Sequence, residues 1–400
     1  MKSKSFLIIA IIYFLVCIGN NLIHPITTPF IQNYLQIDSV YFGIYFSLMS
    51  LGQVFGAILC GILSKKIKIK YLLIGGIIGY AVFQLMFGFI NFDPNIVIAW
   101  RFLAGLFISF PNTLILVFGL NYLSSEERIK GLSILASVNI LGVACGYEIA
   151  GLLHDYVFFD NYHLSFITQA CWCLFTAIFA FVFLKNIEKE NNEKSTNYLT
   201  VIKNMKPSKV VFFIVFLLCS LATIIVSKYF EPYFQNIDNQ RFSPSDLAHI
   251  VTLTSVIGII ANLTLIPLIK KSKKLNTSII FTIFLLVSGV LVLTIFTQKN
   301  EDVLVIMIFS LYLIYSMIRY LIVPVEQNIA VDNIDNSEVS SYISLRQAIL
   351  SSAQVIGPLL MSSVFAYNMS YPFIISGILF FIAGLIMLFL IKVKKNNKKN

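Results

Sequence analysis

Charge is what this sequence has least of. Asp, Glu, Lys and Arg make up only 12% of its 400 residues, where a soluble domain carries about 25%. Too few charges remain to cover a globular surface, so lipid must solvate much of the chain. Two Trp against 36 Phe, 58% hydrophobic residues and a mean hydropathy of +0.84 fit the same reading. Cysteine is also sparse. Cys17, Cys60, Cys145, Cys171, Cys173 and Cys219 all fall inside apolar runs, with no CxxC or Cys/His ligand spacing. That gives no sign of a disulfide framework or a metal and leaves small buried apolar side chains. No G-x-x-x-x-G-K-[ST] occurs, so no phosphate loop for ATP-driven work is present. No Ser/His/Asp, metal or flavin constellation stands outside the apolar runs, and an enzyme is not expected. No small-x-small site follows the run from Phe6 to about Phe30. That run is also too long for a signal-peptide core, so Lys2 and Lys4 are expected to precede a retained first span.

What is present is apolar length. A membrane-spanning helix needs about 20 mostly apolar residues. Twelve such segments follow, near 6–31, 40–63, 71–91, 95–119, 131–153, 163–184, 210–230, 246–268, 276–297, 303–326, 341–366 and 371–391. Short polar breaks such as Asn91-Phe92-Asp93-Pro94-Asn95 read as tight hairpins between antiparallel helices. An all-α integral membrane fold is expected.

The cations test the count. Lys2 and Lys4 precede the first span, and Lys65, Lys66, Lys68 and Lys70 follow the second. Arg128 and Lys130, six lysines between Lys185 and Lys209, Lys270–Lys274 and Lys392–Lys399 complete one side of the membrane. The opposite loops hold only Arg241 and Lys299, beside acids such as Asp38, Asp93, Asp155 and Asp302. That asymmetry sets orientation, so both termini are expected in the cytoplasm of a multi-pass cell-membrane protein. The formal charge of +10 is explained by topology, without nucleic acid. Residues 185–209, rich in Glu, Asn, Lys and Ser, divide the chain into two six-helix bundles, 1–184 and 210–400. Six plus six around a cytoplasmic linker is the layout expected of halves that rock about a midplane site.

Four segments resemble signatures of the major facilitator superfamily, in particular its twelve-span drug:proton antiporters of the bacterial multidrug-efflux type. Gly19-Asn20-Asn21-Leu22-Ile23-His24-Pro25-Ile26-Thr27-Thr28-Pro29 is similar to the first-span Gly-x5-Pro-x-x-Pro signature, with one extra residue before the second proline. Gly61-Ile62-Leu63-Ser64-Lys65-Lys66-Ile67-Lys68-Ile69-Lys70 resembles the first cytoplasmic loop, Gly-x-Leu-Ala-Asp-Arg-x-Gly-Arg-Lys. Lys65 stands at the family's aspartate and Lys68 at its second glycine. The resemblance makes Gly61, Lys65, Lys66 and Lys68 a gating loop. Arg101-Phe102-Leu103-Ala104-Gly105 resembles Arg-x-x-x-Gly, whose arginine is linked to proton coupling. Gly142-Val143-Ala144-Cys145-Gly146-Tyr147-Glu148-Ile149-Ala150-Gly151 resembles the antiporter signature Gly-x3-Gly-Pro-x-x-Gly-Gly, with Tyr147 in place of proline and Gly151 one position late. Gly357-Pro358 in the eleventh span echoes Gly146-Tyr147, and these glycines are expected to pack helices closely. Ser316 sits where related exporters often carry an embedded aspartate.

Charges inside spans are costly and mark function by default. Arg101 and Glu148 each lie about six residues inside the outer end of their spans, roughly 9 Å deep at about 1.5 Å per residue. Equal depth on consecutive spans suggests an Arg101–Glu148 pair. Either Glu148 exchanges a proton or a cationic substrate against Arg101, or the two form a fixed salt bridge. His24, beside Asn20 and Asn21, is a second candidate proton carrier because histidine titrates near neutral pH; a hydrogen-bonded packing role is the alternative. Arg319, Glu326 and Arg346 are expected to form an inner-side charge cluster. Asn20, Asn21, Gln53, Asn112, Asn139, Tyr147, Arg319, Tyr320 and Gln347 are cavity candidates, and Gln169, Asn262 and Gln354 are further embedded polar groups.

Three functions fit. The first is proton-coupled export of small amphipathic compounds, with a proton gradient and no other cofactor. The second is a transporter of the same fold with a specific substrate. The third is a non-transporting sensor or lipid-handling relative. The expected partners are a small-molecule substrate and the bilayer, with the chain acting as a monomer.

Overall fold

The computed structural model describes the chain apart from residues 1, 38–40, 65, 90–93, 122–127, 160, 186–204, 206, 237–241, 272–276, 332–338 and 397–400. Among the described residues every regular element is helical. In chain order they are α1 (Lys2–Asn21), α2 (His24–Pro29), α3 (Tyr41–Leu63), α4 (Ile69–Phe89), α5 (Pro94–Asn121), α6 (Arg128–Leu152) and α7 (Tyr162–Phe183). There follow α8 (Pro207–Gln235), α9 (Pro244–Lys271), α10 (Thr277–Phe296), α11 (Glu301–Ile308), α12 (Leu311–Val331), α13 (Val339–Tyr367) and α14 (Tyr371–Asn396). Among the described residues, eleven helical segments are long and apolar enough to cross a membrane. The expected fourth span falls on α5, which is helical from Pro94 to Asn121. In a bilayer only structures that satisfy their own backbone persist, so apolar sequence of this length becomes helix.

Two spans are interrupted. The first is continuous from Lys4 to Gln32 by hydropathy, yet α1 stops at Asn21 and α2 restarts at His24 with Pro25 in its first turn. Proline has no N–H to donate and is accepted best at a helix start. Asn21 Nδ2 donates to the Cys17 carbonyl at 2.7 Å and the Thr27 hydroxyl to the Ile23 carbonyl at 2.8 Å, which covers carbonyls near the break. A π-turn at Phe30–Tyr34 follows Pro29. The tenth span divides into α11 and α12, and Asn300 caps α11 through the Val303 N–H. The fifth span ends in a second π-turn, Leu153–Val157.

The chain forms two compact units, one of residues 1–190 with 234–256, the other of 191–233 with 257–400. In the first, α5 packs mainly on α3 and α4, α4 on α7, and α6 on α1. The close approach of α6 to α1 depends on two glycines. A Cβ on Gly142 would meet Cys17, and one on Gly146 would meet Ile18 and Asn21. Without a hydrophobic driving force inside lipid, such backbone proximity is what holds spans together. In the second unit, α10 packs on α14 and α12. Phe296 stacks on Phe373 with ring centroids 3.8 Å apart, and the Tyr229 hydroxyl donates to the Pro358 carbonyl at 2.6 Å.

Candidate functional site

Two of the polar clusters among the described residues of the first unit hold the embedded charges Arg101 and Glu148, and they differ in accessibility. The first is closed. Arg101, Gln84, Tyr80 and Gln169 are at most 2% exposed. Arg101 Nη1 donates to Gln84 Oε1 at 3.1 Å, and Gln84 Nε2 donates to the Tyr80 hydroxyl at 3.0 Å. That hydroxyl also accepts from Gln169 Nε2 at 3.1 Å and donates to Asn20 Oδ1 at 2.9 Å, so its hydrogen-bonding capacity is filled. Gln169 Nε2 reaches the Gly19 carbonyl at 2.8 Å as well. One chain of bonds thus joins α5, α4, α7 and α1. The Arg101 guanidinium lies 4.6 Å from the centroid of the Tyr45 ring, with Phe87 at 6.0 Å. Aromatic faces and one amide oxygen hold this cation, and its Nε has no hydrogen-bond partner among the described residues.

The second cluster is open. Glu148 Oε1 is 2.8 Å from His249 Nδ1, and the Thr252 hydroxyl donates to Glu148 Oε2 at 2.8 Å. The side chains of His249 and Glu148 are 51% and 29% exposed. One residue before Glu148, Tyr147 stacks on His24 with centroids 5.7 Å apart and planes 4° from parallel. Towards Val157 the same face of α6 continues into Gly151, against Pro244, Ser245 and Ala248, and into Asp155, whose Oδ2 accepts from the Ser245 N–H at 2.9 Å. Glu148, Gly151 and Asp155 recur at helical spacing, and so do Ser245, Ala248, His249 and Thr252. The contact is a polar seam between α6 and the first half of α9.

The expected Arg101–Glu148 ion pair is not formed. Equal depth gave the axial position of the two residues but not the direction each faces. Gly142 and Gly146 turn one side of α6 onto α1. Glu148, two residues beyond Gly146, is rotated by about 200° at about 100° per residue and points away from α1. Arg101 instead follows α5 into the packing with α4.

Other expected residues divide between packing and surface. Asn139 Nδ2 donates to the Tyr13 hydroxyl and Cys17 Sγ, each at 3.1 Å, and so ties α6 to α1. Asn20 joins the closed network, and Asn21 bonds within its own helix. Gln53 and Asn112 are half-buried, and Gln347 is exposed. The Arg319 guanidinium lies 5.6 Å from the Tyr320 ring, and Tyr320 covers Gly258. Of the expected charge cluster, Arg346 and Glu326 form a buried ion pair, with Arg346 Nε donating to Glu326 Oε1 at 2.9 Å and Phe216 beside the guanidinium. Gly357 faces Leu221, Ile224 and Ile225 at ordinary contact distance. In the gating loop Gly61, Lys66 and Lys68 are exposed, and Lys65 lies outside the described residues. Of the cysteines expected to be buried, Cys173 is, but Cys171, two residues away on another face of α7, is exposed.

Sequence reasoning missed His249, Thr252, Gln84, Tyr80 and Tyr45. His249 sits near the start of its span, where it reads as an end residue. Gln84 could have been found as Gln169 was, as an amide inside an apolar run.

A family model described as Major Facilitator Superfamily matches residues 9–323 and 242–400. The chain belongs to the Major Facilitator Superfamily. Multidrug resistance protein 2 of Bacillus subtilis (strain 168) is 21% identical over 403 residues, covering 99% of this chain and 97% of that protein. Among solved structures, a bacterial homologue of the human lysosomal transporter Spinster, inward-facing and occupied, superposes with TM-score 0.77 at 10% identity, over 98% and 97% of the two chains. A POT family transporter in complex with a thioalcohol-conjugated peptide gives TM-score 0.77 at 15% identity over 96% and 95%. The nucleoside transporter NupG gives 0.74 at 14% identity over 96% and 98%. At such identities the structures show a shared fold. This member of the superfamily is a multi-pass membrane transporter, not an enzyme.

Proposed function

We propose that the chain exports small amphipathic compounds in exchange for protons. In this reading it lies in the cell membrane with both termini cytoplasmic. It works as a monomer, takes no part in nucleic-acid binding, and rocks its halves, 1–184 and 210–400, about the linker 185–209. The observation that carries the proposal is the Glu148 carboxylate, set in an apolar helix yet 29% exposed and held by His249 and Thr252. A carboxylate and an imidazole in hydrogen-bond contact within a span can take up and give back a proton without an unpaired charge being buried. The name of the Bacillus subtilis relative, a multidrug resistance protein, supports the efflux branch, and the fifth-span glycines that resemble the antiporter signature pack as close-contact residues. Arg101 is assigned to holding α1, α4, α5 and α7 in register, because it has no accessible face.

The test is uptake and efflux of a compound panel in proteoliposomes carrying the full chain under an imposed pH gradient. Movement of several unrelated amphipathic compounds that reverses with the gradient is expected. Movement of a single compound would favour a specific-substrate transporter of the same fold, and no pH-dependent movement would reject the exporter reading.

A further inference from the structure

We propose that Glu148 is the docking carboxylate for a monovalent organic cation, and that His249 is its tethered competitor, an imidazolium that occupies the carboxylate whenever substrate does not. The inference rests on the exporter reading and names its substrate class.

The geometry supplies each part. An ionised carboxylate only accepts hydrogen bonds, so His249 Nδ1, 2.8 Å from Glu148 Oε1, carries a proton in this contact. Nε2 has no partner among the described residues, and the ring is 51% exposed; a second proton can therefore enter from solvent and complete an imidazolium–carboxylate pair. Thr252 holds the other oxygen, Oε2, at 2.8 Å, so the carboxylate stays oriented when the imidazole leaves. The stacked His24 and Tyr147 rings start one residue away, and aromatic faces attract organic cations.

Neighbouring charged and titratable groups are otherwise engaged. Asp155 accepts from the Ser245 N–H, and Asp246 accepts from the Ser243 N–H and hydroxyl. His24 is stacked on Tyr147, and Cys145 lies on α6 within electrostatic range of Glu148. His249 is the cationic partner that the described residues offer Glu148. Arg101, by contrast, is a permanent cation at 2% exposure and cannot be displaced.

The exchange balances. Carboxylate and imidazolium plus a substrate cation become carboxylate and substrate cation, neutral His249 and one proton released to water. The total charge is unchanged. Release of the cation at the other membrane face lets His249 take up a proton from that face, so the cycle exchanges one proton for one monovalent cation.

The test uses purified full-length protein in weakly buffered detergent near pH 6, titrated with tetraphenylphosphonium while binding and proton release are followed together. Wild type should release protons as the cation binds, up to one per cation. His249→Gln should bind at least as tightly and release almost none. His249→Lys, whose tethered cation cannot deprotonate in this range, should bind more than about tenfold more weakly. Proton release by His249→Gln equal to wild type overturns the proposal, as does wild-type affinity in His249→Lys. Wild type that binds the cation without releasing protons between pH 5 and 8 overturns it without any variant. If the vesicle experiment shows no pH-driven movement, the exporter reading fails, while the proton count in detergent still judges His249 separately.

Discussion

Arg101 and Glu148 stand on consecutive spans and carry opposite charge, yet the fold treats them in opposite ways. Arg101 is sealed among Gln84, Tyr45 and Phe87 at 2% exposure, whereas Glu148 is 29% exposed and its partner His249 is half in the open. The Glu326–Arg346 pair of the second unit belongs with Arg101, since Glu326 is 3% and Arg346 9% exposed. In the proposed function a sealed charge fixes helices and does not exchange its partner. An open one can. The difference lies in the direction each side chain faces: Arg101 turns into the packing of α5 with α3 and α4, and Glu148 points away from α1.

Breaking the sealed pair should have the largest effect on stability. Arg346→Ala leaves Glu326 buried without a cation and should cost about 3–5 kcal/mol, seen as a lower melting temperature and loss of monodisperse protein in detergent. The double variant Arg346→Met with Glu326→Leu should recover most of that loss. Next comes Gly146→Leu, which drives a side chain into Ile18 and Asn21 and should cost about 1–3 kcal/mol by overpacking. Gln84→Ala removes the acceptor of Arg101 and a donor to Tyr80; about 1–3 kcal/mol is expected from the polar groups left unsatisfied. Glu148→Gln should do least to stability, about 0–1 kcal/mol for an exposed pair, and most to coupling.

How far the sequence reached follows from the same contrast. Hydropathy and the placement of lysines locate the spans because lipid and the membrane's two sides act on every residue along a helix. The break at Asn21–Ile23 was not read from the sequence, which gave one continuous first span, although the missing N–H of Pro25 is a local property that could have marked it. Partners are a different matter. Arg101 and Glu148 were legible as embedded charges, but the pairing of Glu148 with His249 joins residues about a hundred positions apart and depends on the rotation of α6 about its axis. Part of that rotation was written in Gly142 and Gly146, which mark the side facing α1 and so, by elimination, the side left to Glu148 and Gly151. His249 itself gave no signal, because a histidine at the end of an apolar run looks like an interfacial residue.

The central claim is that the open carboxylate couples transport while the sealed charges hold the fold. Substrate-driven proton flux in proteoliposomes of Glu148→Gln, with the melting temperature recorded on the same preparation, tests it most directly. Loss of coupled flux in protein that melts within a few degrees of wild type is the predicted result. Undiminished coupling in well-folded Glu148→Gln would contradict it.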